Sequence, residues 1–408
     1  MREESLARAA PERLRQGDRA GLRDALLASR ADTLETFARY ERTLPGLQVP
    51  QRAELNPPLW ELGHIGWFQA WWLQRNPERA RGAGADPGAP RAASDPLDAD
   101  ALYDSSRVPH DRRWTLPLPD ADATRLHLAR QLDATLTLLE TAGSDDDALY
   151  FFRLALFHED MHHEAALYMA QGLGIPIDDA RWRPAQLPSP LPALDFAPSV
   201  WPLGCPDEAG FAFDNERPVC ARDVPACTID AQVVRWAEYL PFVESGGYGD
   251  ARWWSDAGWR WRSGAGLEAP RYLRREAGRW RCWRNGQWQV LDPAHAACHL
   301  TQYEALAWCR WAGRRLPDEA EWEQAAVTRP DSFHWGQVWE WTASPFAPLP
   351  GFVAHPYRDY SAPWFDGRPV LRGASFMTQP RMRDPRYRNF FQPWRNDVPA
   401  GFRTCAVA

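Results

Sequence analysis

The chain changes character near residue 180, and this change limits its fold more than any other feature of the sequence. The first 175 residues contain long stretches in which apolar residues recur at helical spacing. Eighteen of the 23 tryptophans lie after residue 180, where Gly, Pro and Asn interrupt short aromatic runs. A chain of 408 residues is long enough for two domains. The sequence therefore predicts a helical domain over residues 1–175, a Pro-rich linker over 176–200 and a second domain over 201–408.

Four helices are predicted in the N-terminal domain. They cover residues 22–44, 59–76, 121–141 and 148–172, and a long loop rich in Gly, Pro, Ala and Asp covers residues 77–119. Four helices with one long connection are typical of a helix bundle, whose core can hold a metal site. The second domain shows only two evident helices, over residues 233–244 and 301–312. We therefore expect a loop-rich α+β fold there, with tryptophan supplying much of the core.

Composition excludes several classes of function. The formal net charge of −7 argues against binding to nucleic acid or to an anionic membrane surface. All basic residues are arginine, so the chain cannot use a Schiff-base lysine or a P-loop lysine. The charged N-terminal segment does not resemble a signal peptide, and no 18-residue apolar stretch is present. Together with seven cysteines and no CxxC pair, these features predict a cytoplasmic protein that acts on small molecules.

Three histidines are the strongest candidates for a functional site. His158 and His162 are four residues apart on a predicted helix, which places them within about 40° on one face. His64 lies on another predicted helix of the same bundle, in an otherwise apolar stripe. A buried histidine in such a stripe needs a partner. The three residues together predict a metal site in the bundle core.

The segment HEDMH also matches the HExxH motif of zinc proteases, in which the glutamate acts as general base. The motif here is followed by no third ligand on an evident second helix, whereas His64 lies upstream. His163 is about 100° from the predicted metal face, so we expect it on a solvated face. Glu164 is predicted to make a structural contact and not to bind metal.

Three neutral imidazoles would leave two or three coordination positions open. Without thiolates or carboxylates, such a site suits Zn, Fe(II) or Cu, and the number of ligands does not choose among them. Open positions are what an oxygen-activating iron requires.

Several longer segments resemble known families. WELGHIGWF and HEDMHHE resemble the histidine elements of DinB-like four-helix bundles, while GRRLPDEAEWEQAA, GQVWEWTASPF and VLRGASF resemble a formylglycine-generating-enzyme-like domain with a C-type-lectin-like fold. The two in this order resemble the non-heme iron ergothioneine sulfoxide synthases, from roughly residue 20 to the C-terminus. LYDSSRVPHDRRWTLPLPD and HEDMHHEAALY look like the selenoneine synthase branch of that family.

This resemblance implies an iron(II) enzyme that uses dioxygen to join the selenium of a selenosugar to imidazole C2 of hercynine, the trimethyl betaine of histidine. Carried over by position, the iron ligands would be His64, His158 and His162. The ergothioneine enzymes also bring two tyrosines of a PYxxYS segment to the site, one of them as a proton donor. In this chain the segment reads PYRDYS, which makes Tyr357 the candidate acid and Tyr360 a candidate substrate contact.

The resemblance also points to a segment near the C-terminus. The mycobacterial type has Asn-Trp-Asp there, with an arginine four residues after the aspartate, whereas this chain has Asn389, Phe390, Phe391 and Arg395. Phe391 replaces a carboxylate that would pair with a charged thiol such as γ-glutamylcysteine, which an uncharged sugar donor would not need. Some family members that use cysteine also carry Phe here. We expect the hercynine cation to contact Phe390, Phe391, Trp394 and Tyr360. Its carboxylate is expected to contact Asn389 and Arg395.

Three other functions stay open from the sequence. The same architecture could join hercynine to cysteine or γ-glutamylcysteine, as a sulfoxide synthase of ergothioneine biosynthesis. A metal-dependent thiol transferase of the DinB type would not need a second domain of this size. A carbohydrate-binding or scaffold protein would leave the three histidines unexplained.

Overall fold

The computed structural model describes residues 14–94 and 98–407. Its N-terminal part is helical. The helices are α1 (Arg19–Thr43), α2 (Pro58–Gln69), α3 (Ala99–Tyr103), α4 (Ala121–Thr141) and α5 (Asp146–Leu173). The aspartates that precede α1, α4 and α5 each accept a hydrogen bond from a backbone N–H of the first turn, which explains where these helices begin. The four long helices confirm the predicted bundle.

The packing of the bundle follows from its apolar stripes. α1 packs against α5, and α2 packs against α4. α2 is buried on nearly all sides, because Trp60, Leu62, Ile65 and Phe68 point into different parts of the core. After Gln69 the chain makes a single wider π-helical turn, so the predicted helix over 59–76 ends earlier as an α-helix. Short α3 lies in the predicted loop over 77–119, beside α2.

The C-terminal part combines short strands with four helices. The helices are α6 (Trp236–Glu244), α7 (Asp256–Ala265), α8 (Gln302–Ala312) and α9 (Glu319–Thr328). The strands are β1 (Leu194–Phe196), β2 (Ser199–Leu203), β3 (Cys220–Val224), β4 (Cys227–Ile229), β5 (Leu273–Glu276), β6 (Arg279–Arg284), β7 (Gln287–Val290), β8 (Arg314–Arg315), β9 (Val338–Pro345), β10 (Pro369–Ala374), β11 (Asn389–Phe390), β12 (Ala400–Gly401) and β13 (Cys405–Ala406). Long loops connect these elements, as the loop-rich α+β prediction requires.

The strands form four small sheets. Two have four strands, in the orders β1-β4-β13-β8 and β11-β10-β9-β12, and the others are β2-β3 and β5-β6-β7. β9 is central in the second sheet, pairing antiparallel with β10 and parallel with β12. Its residues alternate between the two faces of the sheet, so Trp339 and Trp341 share one face and Glu340 lies on the other. This sheet carries Trp339 and the β11 residues toward the bundle.

Two expectations for this region need correction. The sequence showed only two evident helices, and the structure adds α7 and α9. Ser255 caps the start of α7, and Gly266, with φ of +62°, directly follows its last residue. α9 begins with a capping box between Asp318 and Glu321. Two glycines and two tryptophans interrupt the helical pattern of α7, whereas the capping box of α9 could have been recognised in the sequence. β1, which falls in the predicted linker over 176–200, pairs with β4.

The tryptophan count is explained by packing. Trp60, Trp322 and Trp341 are among the largest fully buried side chains. Most buried aromatic residues of the two parts belong to one continuous core, which joins the bundle to the C-terminal region. Among the described helices, none combines the length and the apolar character that crossing a membrane would need.

Candidate metal centre and substrate cavity

Three histidines from two helices meet in the core of the bundle. His64 lies on α2, and His158 and His162 lie one turn apart on α5. The potential ligand atoms of the three side chains all lie within 4.8 Å of one another. His64 and His158 are buried, and His162 is half-buried. The structure therefore brings together the three residues that the sequence singled out.

Neighbouring groups orient two of the rings. Nδ1 of His64 lies 2.7 Å from the backbone carbonyl oxygen of Tyr103, and Nδ1 of His162 lies 2.5 Å from Oε2 of Glu61. Because both partners are acceptors, Nδ1 carries the hydrogen and donates, which leaves the lone pair of each Nε2 free. Nε2 of His158 is buried and has no hydrogen-bond partner in the described part of the chain. This arrangement fits a metal ion held by three imidazole nitrogens.

Burial keeps His64 and His158 neutral. Burial and the neighbouring His162 ring lower the pKa of His64 to about 3, and burial lowers the pKa of His158 well below its usual value. Burial by itself would raise the pKa of the Glu61 carboxyl, but the adjacent His162 ring lowers it below its usual value. The two buried imidazoles of His64 and His158 are therefore neutral at pH 7 and can bind a divalent metal. The donor set suits Fe, Zn or Cu.

Aromatic rings of α2 stack on two of the histidine rings. Trp60 stacks on His64 with ring centroids 4.8 Å apart, and Phe68 stacks on His158 at 3.5 Å. Both aromatic residues lie on α2 and are buried. The ligand rings are therefore held by packing as well as by hydrogen bonds, as a preorganised site requires.

A cavity of about 270 Å³ adjoins His158 and His162. Residues of α5 form one wall, and residues of β9, β11 and the loops of the C-terminal region form the other. The lining residues are His158, Met161, His162, Glu164, Ala165, Tyr168, Trp339, Tyr357, Tyr360, Met382, Tyr387, Asn389, Phe390, Phe391, Val398 and Pro399. Among these residues Glu164 is the one carboxylate, and there is no arginine. The cavity is therefore aromatic, with a single acidic group.

The PYRDYS segment contributes both of its tyrosines to this cavity. Tyr357 packs edge-on against Phe68 and Trp72 of the bundle, at 4.9 and 6.0 Å between centroids, and its ring centroid lies 6.2 Å from that of His158. Burial raises the pKa of Tyr357 above its usual value, so its hydroxyl keeps its proton at pH 7. Tyr357 therefore lies beside His158 and carries a protonated hydroxyl.

Tyr360 is held by a residue that the sequence did not single out. The hydroxyl oxygens of Tyr360 and Tyr387 lie 2.6 Å apart. The Tyr387 hydroxyl donates its one hydrogen to Sδ of Met161 at 3.4 Å, so the Tyr360 hydroxyl donates to Tyr387. Tyr360 also stacks on Phe213, at 4.4 Å between centroids. Both tyrosines and Met161 line the cavity. The hydrogen-bonded hydroxyls of Tyr360 and Tyr387, together with the Met161 sulfur, thus form part of the cavity wall.

The predicted substrate contacts near the C-terminus fall into two groups. Asn389, Phe390 and Phe391 line the cavity. Oδ1 of Asn389 accepts from the backbone N–H of Phe390, which leaves the side-chain amide hydrogens to donate elsewhere. Arg395 is absent from the lining residues, and its guanidinium makes two hydrogen bonds of 2.6 Å to Asp397. Trp394 is also absent from the lining residues, and its side chain is exposed. The structure therefore brings three of these five residues to the cavity.

Glu164 makes the structural contact that was expected and also lines the cavity. Its Oε1 accepts from the indole N–H of Trp339 at 2.7 Å and from the hydroxyls of Ser375 and Thr378 at 2.7 and 2.8 Å. Burial raises the pKa of this carboxyl, and the three donors oppose that effect. Oε2 accepts no hydrogen bond from the described residues. Glu164 is therefore fixed through one oxygen, with the other left for a ligand.

Two further residues of α5 have different environments from those the sequence suggested. His163, expected on a solvated face, is buried, and its ring nitrogens lie 3.0 Å from Oγ1 of Thr36 and 3.4 Å from Nε2 of Gln379. The prediction was wrong because α1 and the C-terminal region cover this face of α5. Glu159, the general base of the protease alternative, is buried and forms an ion pair of 2.7 Å with Arg30. That pairing does not suit a base for hydrolysis.

The chain is similar to proteins of two known kinds. Residues 186–337 match the family model described as a sulfatase-modifying factor enzyme 1-like domain. The chain is 32% identical over 405 residues to the hercynine oxygenase of Mycobacterium tuberculosis, covering 86% of this chain and 90% of the relative. It is 32% identical over 410 residues to the hercynine oxygenase of Mycolicibacterium smegmatis, with 86% and 90% covered. The formylglycine-generating enzyme of Bos taurus is 29% identical over 183 residues, or 38% of this chain and 49% of the relative.

Proposed function

Because the chain belongs to the hercynine oxygenase family, we propose that it is a dioxygen-dependent, non-heme iron(II) enzyme that joins imidazole C2 of hercynine to the selenium of a selenosugar. In this proposal residues 1–175 form the DinB-like bundle that carries the metal ligands, and residues 201–408 form the domain that closes the cavity. Residues 176–200 connect the two. The protein would act in the cytoplasm, on small molecules.

The metal ligands in this proposal are His64, His158 and His162. Each can offer a neutral nitrogen, and the ring orientations set by Tyr103 and Glu61 favour Nε2 of His64 and His162. Iron(II) bound here would supply the activation of dioxygen, which organic side chains cannot perform. Three protein ligands leave coordination positions for substrates.

The aromatic cavity with one carboxylate is the observation that carries the substrate assignment. The trimethylammonium group of hercynine keeps its positive charge at any pH, and aromatic faces attract such cations by about 0.5 to 2 kcal/mol for each well-placed ring. Trp339, Tyr168 and Phe391 offer such faces, and Glu164 offers the opposite charge. The side-chain amide of Asn389 is free to donate to the carboxylate of hercynine.

The same wall favours an uncharged donor. γ-Glutamylcysteine brings two carboxylates, yet no arginine is present among the described lining residues, and Arg395 is engaged by Asp397. A neutral selenosugar needs no such partner. The thioether sulfurs of Met161 and Met382 add polarizable contacts that suit a selenium atom. The second candidate, a sulfoxide synthase that uses a thiol, is favoured by the identity to the hercynine oxygenases.

Tyr357 is proposed as the proton donor. Its hydroxyl keeps its proton at pH 7, and its ring lies close to that of His158. In the overall reaction the C2–H and Se–H bonds break and the C–Se bond forms. Dioxygen takes up four electrons, placing one oxygen atom on selenium and releasing the other as water. The two protons lost from C2–H and Se–H end in this water, so a group is needed that passes a proton to the oxygen being reduced, which is the role given to Tyr357.

Incubation with different donors tests this function. The protein is supplied aerobically with Fe(II), hercynine and either a selenosugar, cysteine or γ-glutamylcysteine, and the products are identified by mass. We expect selenium incorporation well ahead of sulfur transfer from either thiol. Histidine in place of hercynine is the matched control, since it lacks the permanent cation, and it should react much less. Efficient use of a thiol with no reaction of the selenosugar would contradict the selenium assignment and favour the sulfoxide synthase.

A further inference from the structure

The loop His355–Ser361 has to place Tyr357 accurately without support from a long helix or strand. It contains only a single 3₁₀ turn, Arg358–Tyr360. An irregular loop is ordinarily among the more mobile parts of a protein. Something outside the loop must therefore fix its two ends.

One buried carboxylate contacts both ends. Asp214 lies in the short 3₁₀ turn Asp214–Glu216 and is 3% exposed. Its Oδ2 accepts from the backbone N–H of His355 at 3.3 Å, and its Oδ1 accepts from the hydroxyl of Ser361. The two oxygens of a single side chain thus join the first and last residues of the loop.

Neighbouring residues support the same two ends. The side-chain amide of Asn215 donates to the Ser361 hydroxyl oxygen at 3.0 Å. The hydroxyl of Tyr150 lies 2.9 Å from Nδ1 of His355. Tyr150 is on α5, two turns before His158, so the start of the loop is tied to the helix that carries two of the metal ligands.

The cost of burying this carboxylate shows that its position matters. Among the described residues, no arginine or histidine forms an ion pair with Asp214. A buried carboxylate without a cation is expensive and persists only when hydrogen bonds satisfy it. Apart from the backbone of its own turn, the donors that satisfy Asp214 are the two ends of the loop.

We propose that Asp214 is a positioning residue that fixes the Tyr357 hydroxyl at the metal centre by fastening both ends of the His355–Ser361 loop. This inference rests on the proposed function for the role of Tyr357, whereas the fastening itself does not. Asp214 is not one of the residues that line the cavity, and its side-chain hydrogen bonds go to His355 and Ser361, not to a metal ligand. Its effect on turnover must therefore pass through the loop.

Hydrogen–deuterium exchange tests the fastening directly. Asp214→Asn keeps the size of the side chain but removes one acceptor, and Asp214→Ala removes both. We expect amide exchange in the peptide covering residues 355–361 to become at least tenfold faster in Asp214→Ala, with a smaller increase in Asp214→Asn. Exchange in the peptide containing His158 and His162 should stay unchanged. Unchanged exchange over 355–361 in both variants would overturn the proposal.

Glu304→Gln is a matched control. Glu304 is also fully buried, has no ion pair among the described residues, and accepts hydrogen bonds from Thr301 and from Tyr248, outside the loop. Its replacement should leave exchange over residues 355–361 unchanged. Faster exchange there in Glu304→Gln as well would mean a general loss of stability and would also overturn the proposal.

A double variant links the loop to the chemistry. If Asp214 acts through Tyr357, Asp214→Asn combined with Tyr357→Phe should turn over no more slowly than Tyr357→Phe alone. Losses that multiply would contradict action through Tyr357. If Tyr357→Phe alone has no effect, the proton-donor role fails, and the exchange measurement still decides whether Asp214 fastens the loop.

Discussion

The two sides of the cavity hold their functional residues in different ways. On the bundle side, His64, His158 and His162 project from helices α2 and α5 at fixed spacing. On the opposite side, Tyr357 and Tyr360 lie in a loop that depends on side-chain hydrogen bonds from other segments. Regular secondary structure thus builds the metal centre, whereas contacts between distant residues build the substrate wall. The first kind of site can be recognised in a sequence, and the second kind depends on the fold.

The largest effect should follow from loss of a ligand on the bundle side. His158→Ala or His162→Ala removes one of three nitrogens, so we expect turnover to fall to the level of the metal-free protein. Product formation from hercynine measures this. His163→Asn on the same helix is the control and should retain most activity, because His163 contacts Thr36 and Gln379 instead. Substantial activity in both ligand variants would show that His158 and His162 do not hold a catalytic metal.

A smaller effect is expected on the loop side. Tyr357→Phe keeps the ring that packs against Phe68 and removes only the hydroxyl, so the fold and the metal content should survive. General acid catalysis typically contributes about 100-fold or more, and we expect turnover to fall by that order or the products to change. Unchanged rate and unchanged products would show that Tyr357 serves packing alone.

Glu61 is expected to affect how tightly the bundle side binds metal. Glu61→Gln would replace an ionised acceptor of the His162 Nδ1–H by a neutral amide. Partners of this kind typically change metal affinity by about 10- to 100-fold, so we expect a loss of that order in iron(II) affinity by calorimetric titration under anaerobic conditions. Glu41→Gln is the control, because this carboxylate pairs with Arg125 and not with a histidine. Equal affinity in Glu61→Gln and in the unaltered protein would remove Glu61 from the metal centre.

The smallest effect concerns the pH dependence of stability on the loop side. Burial, with a further contribution from the Glu216 charge, raises the pKa of Asp214 to about 6, above the value of about 4 for an unfolded chain. Because its pKa is higher in the folded state, Asp214 binds its proton more tightly there than in the unfolded chain. Proton binding therefore adds to the free energy of unfolding in full below about pH 4, and this contribution is lost as the pH rises to about 6. Relative to Asp214→Asn, the unaltered protein should lose about 1 kcal/mol of unfolding free energy per pH unit across this range. Urea unfolding at pH 4, 5, 6 and 7 measures the difference, and parallel curves would contradict it.

The features that could be predicted from the sequence lie mainly on the bundle side of the cavity. The helices of the bundle, the loop-rich second region and the convergence of the three histidines follow from local spacing and capping signals. Glu61 could have been found by the same reasoning, since it lies three residues before His64 and therefore on the same face of α2. Tyr387, Asp214 and the second role of Glu164 depend on contacts between segments far apart in the chain, which no local pattern encodes. His163 was misplaced for the same reason, because burial on that face comes from α1 and from Gln379.

In the proposed function, helices α2 and α5 together hold one metal ion. The most direct measurement is the iron content of the protein and of His64→Ala after anaerobic loading with Fe(II) and removal of the excess, since only the fold brings His64 to the pair on α5. We expect about one iron per chain in the unaltered protein and in His163→Asn, and little or none in His64→Ala. Full iron occupancy in His64→Ala would contradict the three-histidine centre.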